Sequence, residues 1–177
     1  MARYQAGDTE AFQELYRRYA PRLQGLMRRS LFRQEEAADL VQQTFLHLHR
    51  ARNDFRTGAL LRPWLFTIAL NLKRKHFRTV ARRPASELGE IDPAGNDPGP
   101  GSPLERSEEQ AAVREALAKL PAGTREVIEL HWFEGLPFAE VAQTVGASLS
   151  AVKVRAHRGY KALRELLADR NQAGGAE

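Results

Sequence analysis

Two groups of side chains in this chain have types and spacings that could do chemistry, and in both the chemistry is contact with a polyanion. From Val141 to Arg164 there is no acidic residue, while Lys153, Arg155, Arg158, Lys161 and Arg164 recur through the second half of that stretch. Ala142, Gly146 and Val152 fall at the fifth, ninth and fifteenth positions of a twenty-residue frame that begins at Phe138. That is the spacing of a helix-turn-helix: a small residue where the second helix crosses, a glycine free to take the positive φ of the turn, and an apolar residue packing back. An ordinary helical hairpin gives the same spacing, and the run of cations tips the reading toward DNA. Ser150, Lys153 and His157 lie a turn apart and suit base edges, while Arg155 and Arg158 lie further round and suit phosphates. Lys161 and Arg164 read as a solvated face.

The second group is Lys73, Arg74, Lys75, Arg78, Arg82 and Arg83, in a stretch with no acidic residue between Asp54 and Glu87. Phe55, Trp64, Phe66 and Phe77 are interleaved with it. Cations that follow phosphates beside rings that stack on bases suit single-stranded nucleic acid. The alternative is that Trp64 and Phe66 belong to a core and the cations to a solvated surface; for Trp64 the core reading is favoured.

Catalysis finds no footing. His47, His49, His76, His131 and His157 form no HExxH or other pairing that puts two ligands on one helical face. There is no P-loop, nucleotide fingerprint or nucleophile elbow, and no cysteine for thiolate, disulfide or redox chemistry. The expectation is a protein that is not an enzyme and needs no metal or cofactor.

Helices must position both groups. Phe12, Leu15, Tyr16, Tyr19, Leu23, Leu26 and Met27 recur at three- and four-residue steps behind Asp8 as N-cap, with Pro21 starting a second helical piece. Ala38, Val41, Phe45 and Leu48 predict a helix from about Glu35 to Arg52. After a loop over Asn53–Arg62, Pro63 opens a third helix carrying Trp64, Leu65, Ile68 and Leu72 inward. A helix over Leu104–Leu120 stops at Pro121, another holds Val127, Ile128, Leu130 and Trp132, and Ser148 or Ser150 caps the last. The fold class is all-α.

The net charge of +5 over 177 residues hides three regions: +10 over residues 1–83, −6 over 84–110 and +1 over 111–177. Between Pro84 and Pro103, prolines and glycines occupy nine of twenty positions, which reads as a flexible linker between two small helical domains. The expected divisions are 1–83, a linker over 84–107, 108–170 and a tail over 171–177. No apolar run reaches the ~18 residues of a membrane span, and the start lacks the core of a signal peptide, so the chain reads as cytoplasmic, with no direct membrane insertion.

Taken together, GDTEAFQELYRRYAPRL, AADLVQQTFLHLHRARNDFR, RPWLFTIALNLKRKHFR and LAKLPAGTREVIELHWFEGLPFAEVAQTVGASLSAVKVRAHRGYKALREL resemble a bacterial RNA polymerase sigma factor of the extracytoplasmic-function group. The resemblance spans nearly the whole chain except the linker and the last few residues. It implies two domains, sigma region 2 and sigma region 4. It implies core RNA polymerase as a partner, through the β′ clamp helices and the β flap, together with promoter DNA and a regulating anti-sigma factor. The segment holding Asp39, Leu40, Gln42, Gln43, Phe45 and Leu46 matches the part that binds the clamp helices; many relatives carry glutamate where this chain has Gln43. The loop Asp54–Leu61, with Asp54, Phe55 and Arg56, matches the element that captures a flipped base of the −10 sequence. Asn71, Lys73 and Arg74, with Lys75 and Arg78 beyond them, match the helix beside the melted strand. Ser148, Ser150, Lys153, Val154, Arg155, His157 and Arg158 match the −35 reader. Val154 stands where relatives carry a hydroxyl, and offers only apolar contact, for example to a thymine methyl. Gly159, inside that helix, costs about 1 kcal/mol relative to alanine and has no reason in the sequence. In the family the linker threads the polymerase's active-site cleft and RNA exit path; the other reading is an inert tether. Two rivals remain: a helix-turn-helix repressor or activator acting without polymerase, and a sigma mimic that sequesters an anti-sigma factor.

Overall fold

The computed structural model describes residues 1–31, 33–82 and 104–173, with the backbone alone for 104–110 and 169–173. Every regular element among the described residues is helical: α1 (Ala2–Gln5), α2 (Thr9–Arg28), α3 (Gln34–Arg50), α4 (Leu61–Val80), α5 (Leu104–Lys119), α6 (Ala122–Ile128), α7 (Phe138–Val145) and α8 (Leu149–Ala173). A 3-10 turn over Arg52–Asp54 follows α3, and a π-helical turn over Glu129–Phe133 extends α6. The chain divides into two compact units, Met1–Gly95 and Asn96–Glu177. The stretch read as a linker lies outside the described residues as far as 103, together with Arg83.

In the first unit, Asp8 caps α2 as its sequence position suggests, accepting from the Ala11 amide at 3.1 Å. That bond, more than the neighbouring Arg3, holds the Asp8 carboxyl below the usual aspartate range. Pro21 does not begin a new piece; α2 runs through it. The ring leaves the Arg17 carbonyl without its helical donor, and both residues are exposed, so water can take that donor's place. Tyr19, Leu23, Leu26 and Met27 are buried as expected, whereas Tyr16 faces outward. Helix α3 packs on both α2 and α4. It buries Ala37, Leu40, Val41, Phe45 and Leu48 and ends at Arg50, with Ala38 turned outward.

Helix α4 starts at Leu61, two residues before Pro63, which therefore sits in the first turn. No helical partner is lost there, because the first four amides of a helix have none. The fully buried residues are Leu65, Phe66, Ala69 and Leu70; Trp64 and Ile68 lie at the margin.

In the second unit, α8 packs on α5, α6 and α7. Leu117, Leu120 and Ile128 form a buried cluster against which Val113, Tyr160, Ala162 and Leu163 pack. The Arg125 guanidinium closes α5, donating to the carbonyls of Ala118 (2.6 Å) and Leu120 (3.2 Å). The π turn, closed by the Glu134 amide on the Glu129 carbonyl at 3.2 Å, leaves Leu130 buried and turns Trp132 out against the edge of Tyr160.

Gly159 now has its reason. A Cβ there would lie 2.8 Å from Thr124 Cγ2 and 3.0 Å from Ile128 Cγ1, so α8 crosses α6 at a distance only glycine permits. Both neighbours are branched at Cβ, and Ile128 is fully buried, which leaves little room to give. Gly159→Ala should therefore lower the stability of the second unit by about 1–3 kcal/mol, despite alanine's better helix propensity. Chemical denaturation of the Trp64→Phe background, followed by Trp132 fluorescence, checks this; an unchanged or raised midpoint would contradict the crowding.

Candidate nucleic-acid interface

In the first unit the candidate residues are sorted by which side of a helix they occupy. On α3, Leu40 and Phe45 are 4% exposed, and so belong to the core rather than to a contact surface. Phe45 lies against Tyr16, ring centroids 4.7 Å apart, and edge-on to Phe12. Asp39, Gln42, Gln43 and Leu46 form the outer stripe, with Leu46 46% exposed. The Gln43 amide donates to Asp39 Oδ2 at 2.6 Å, so this neutral side chain holds its neighbour in place. Beside this stripe is an open groove of about 580 Å³ between α2 and α3, lined by Tyr16, Ala20, Pro21, Ala38, Val41 and Gln42.

Beyond α3, the turn Arg52–Asp54 leads into a loop where Asp54 and Arg56 are exposed and Phe55 is buried against Trp64, centroids 5.0 Å apart. Phe55 thus anchors the loop and is not available for stacking on a base. Gly58 takes φ +83°, which turns the chain toward α4.

On α4, Asn71, Lys75, Phe77 and Arg78 are exposed and Arg74 is half-buried. Lys73 differs from its expected role. It is 4% exposed, and its ammonium donates to Ser30 Oγ at 3.1 Å, which ties α4 to the end of α2. A cation held inward by a hydrogen bond cannot also follow a phosphate, so Lys73 supports the surface instead of forming it. His76, one turn on, lies 3.6 Å from Glu36 of α3. Of the interleaved rings, Phe66 is core and Phe77 outward.

The second unit builds the other candidate surface. Gly146 ends α7 at φ +68°, and the Ala147 amide returns to the Ala142 carbonyl at 3.1 Å. His131 stacks on Phe138 at 3.9 Å and bonds the Leu136 carbonyl through Nδ1 at 2.7 Å, which fixes the start of α7. Ser148, not Ser150, caps α8, accepting from the Ala151 amide at 3.2 Å. Val152, Ala156 and Gly159 are buried. At 100° per residue, Ser150, Val154 and His157 then lie at the centre of the opposite side, flanked by Lys153 and Arg158. Val154, 48% exposed, is more central than the sequence reading placed it. Arg155 lies toward α6, its guanidinium beside Gly123. No three His, Asp or Glu side chains converge as a metal set among the described residues.

Two features of the first unit carried no signal in the sequence. Lys73 lies within a run of cations, and nothing in that run marks it as the one turned inward. Gln5 reaches across from α1 to the turn after α3. Lys73→Ala should cost the first unit about 2 kcal/mol, the scale of a buried charged hydrogen bond. Lys75→Ala and Arg78→Ala should change its stability by less than about 0.5 kcal/mol and instead weaken binding of labelled single-stranded DNA. Denaturation followed by Trp64 in a Trp132→Phe background separates the two; equal destabilisation by all three would contradict the assignment.

Comparison with known proteins follows the same division. Residues 15–83 match Sigma-70 region 2, and residues 110–163 match Sigma-70, region 4. The chain is 38% identical over 172 residues to RNA polymerase sigma factor CarQ of Myxococcus xanthus, covering 96% of each. It is 34% identical to RNA polymerase sigma factor CnrH of Cupriavidus metallidurans, covering 92% of this chain and 89% of that one. The solved structure of CnrH in complex with the cytosolic domain of CnrY superposes with a TM-score of 0.75 at 31% identity, covering 95% of this chain and 94% of that one. RpoE from Bartonella quintana, solved with the anti-sigma factor NepR, gives 0.76 at 25% identity, covering 90% and 98%. With both regions matched in order and relatives aligned almost end to end, the chain belongs to the sigma-70 family, as a factor of the extracytoplasmic-function group that directs RNA polymerase to promoters.

Proposed function

We propose that the outer stripe of α3, Asp39, Gln42, Gln43 and Leu46, docks on the clamp helices of core RNA polymerase, and that the two cationic surfaces divide the promoter between them. The exposed side of α8, with Ser150, Lys153, Val154, His157 and Arg158, reads the −35 duplex; Ser148 holds its first turn and Arg155 meets a flanking phosphate. The loop from Asp54, with Arg56, captures a −10 base, and Asn71, Arg74, Lys75 and Arg78 follow the melted strand. Flipping a base costs a few kcal/mol, which a pocket and adjacent cations can offset. The observation that carries the reading is that each unit turns a cation-bearing side to solvent from a helix whose other side is buried.

The working divisions are 1–83 for core binding and −10 melting, 84–107 as a linker, 108–170 for the −35 element and 171–177 as a tail. The polymerase performs the phosphodiester chemistry, and this chain acts with it in the cytoplasm. An anti-sigma factor holds the protein inactive by covering the outward sides of α2 and α3, where Tyr16 and Leu46 expose apolar surface beside the groove. Relatives solved with CnrY and NepR support control of that kind.

Run-off transcription from a genomic promoter library with core enzyme, with and without this chain, tests the reading. Added initiation at a discrete set of promoters is expected, and none would overturn it. Tight duplex binding without core, seen by gel shift, would favour a conventional repressor or activator. At a recovered promoter, Lys153→Ala should relax −35 selectivity. Arg158→Ala should weaken binding evenly across sequences and lower the salt slope by about one.

A further inference from the structure

The loop assigned to the −10 base has only a short, local framework of its own. Its 3-10 turn is closed by two backbone bonds, from the Asp54 amide to the Ala51 carbonyl at 3.0 Å and from the Phe55 amide to the Arg52 carbonyl at a long 3.4 Å. Such short turns have weak hydrogen-bond geometry and little cooperativity. Capture of a flipped base needs the opposite: a backbone whose position is set before the base arrives.

Helix α1 supplies that constraint from outside the loop. Gln5 Nε2 donates to the Arg52 carbonyl at 2.8 Å and to the Phe55 carbonyl at 3.0 Å, so both protons of one amide grip the two ends of the turn. Both bonds are shorter than the 3.4 Å bond that joins Phe55 to Arg52 within the turn. One residue earlier, the Tyr4 hydroxyl hydrogen-bonds His49 Nδ1 at 2.5 Å, and Arg52 Nη1 donates to the His49 carbonyl at 2.8 Å. Helix α1 is itself fixed: Tyr4 is buried with its ring 5.2 Å from Phe12, and Arg3 Nε donates to Asp8 Oδ2 at 2.8 Å. Gly7, at φ +94°, makes the reversal that lays α1 back over the end of α3. The side chains of Asp54 and Arg56 remain exposed beside the held backbone.

We propose that Gln5, carried on α1, is the positioning residue of the −10 capture loop. The proposal rests on the assignment of that loop to a flipped base. Gln5 touches no DNA; it acts by holding the Arg52 and Phe55 carbonyls, and through them the backbone that presents Asp54 and Arg56.

The test uses holoenzyme assembled from core polymerase and the full chain, on a promoter duplex recovered from the run-off library and carrying 2-aminopurine in its −10 element. Gln5→Met keeps the length of the side chain and removes the donor; Gln5→Lys restores a donor that can reach the carbonyls. The rise of 2-aminopurine fluorescence on opening is expected to slow about tenfold for Gln5→Met and to recover for Gln5→Lys. Core affinity by competition is expected to stay at the parent value, and the first unit to remain folded, its Trp64 midpoint in the Trp132→Phe background lowered only modestly by the two lost bonds. Unchanged opening in Gln5→Met, equal loss in both variants, or a loss that follows core affinity would overturn the proposal. Asp54→Ala and Arg56→Ala separate the two failures. If they slow opening while Gln5→Met does not, the positioning role alone falls. If neither they nor Gln5→Met slows it, the base-capture assignment falls and takes the positioning role with it.

Discussion

The first unit depends on helix α4 being buried along one side and charged along the other. Leu65, Phe66, Ala69 and Leu70 have no measurable exposure, and each large side chain among them contributes on the order of 2 kcal/mol by leaving water. That burial fixes the rotation of the helix about its axis, and the rotation decides which cations face outward. Asn71, Lys75 and Arg78 do; Lys73 does not. The cationic surface is therefore a consequence of the apolar one. It cannot turn to improve a contact with DNA without exposing the core.

The second unit solves the same problem with a close approach. Helix α8 is anchored by Val152 and Ala156, both buried, and by the absence of a side chain at Gly159, where Thr124 and Ile128 fill the space. A glycine inside a helix costs conformational entropy. Here it lets the Thr124 and Ile128 side chains of α6 pack directly on the α8 backbone, so that the rotation of α8, and with it the outward position of Ser150, Val154 and His157, is tightly set. For the −35 role proposed for α8, stiffness at that crossing matters because base edges are read by contacts that fail when displaced by an ångström.

The sequence made the all-helical class and both cationic segments legible, because three- and four-residue spacing and the absence of acids are local signals. It also placed the Asp8 cap and the Gly146 turn, whose causes lie within four residues of the site. What escaped it depends on neighbours distant in the chain. Lys73 meets Ser30, 43 residues away, and Gln5 meets Arg52 and Phe55, 47 and 50 residues away. Gly159 is explained only by Thr124 and Ile128. Phe55 reads as a ring available for stacking until Trp64 is found against it. Pro21 and Pro63 show a different failure. Each was treated as a boundary, although a proline is tolerated wherever the carbonyl it orphans can reach water or the amide it removes had no partner.

The distribution of charge on α8 bears on how such a protein selects its sites. Over the first turns of α8 the centre of the exposed side is neutral, a serine, a valine and a histidine with Lys153 and Arg158 to either side, and Lys161 continues that line one turn later. In the proposed −35 role, affinity comes mainly from phosphates, which every sequence offers equally, and discrimination from a few contacts worth about 1–3 kcal/mol for each good one. One such surface separates a promoter poorly from a genome of competing sites. A second surface on the same chain changes the arithmetic, because once one unit is bound the other meets its element at a high effective concentration. Selectivity then multiplies across the two elements while each contact stays weak enough to release. Two small, stiffly built units, each modest in its own discrimination, are what that division of labour requires.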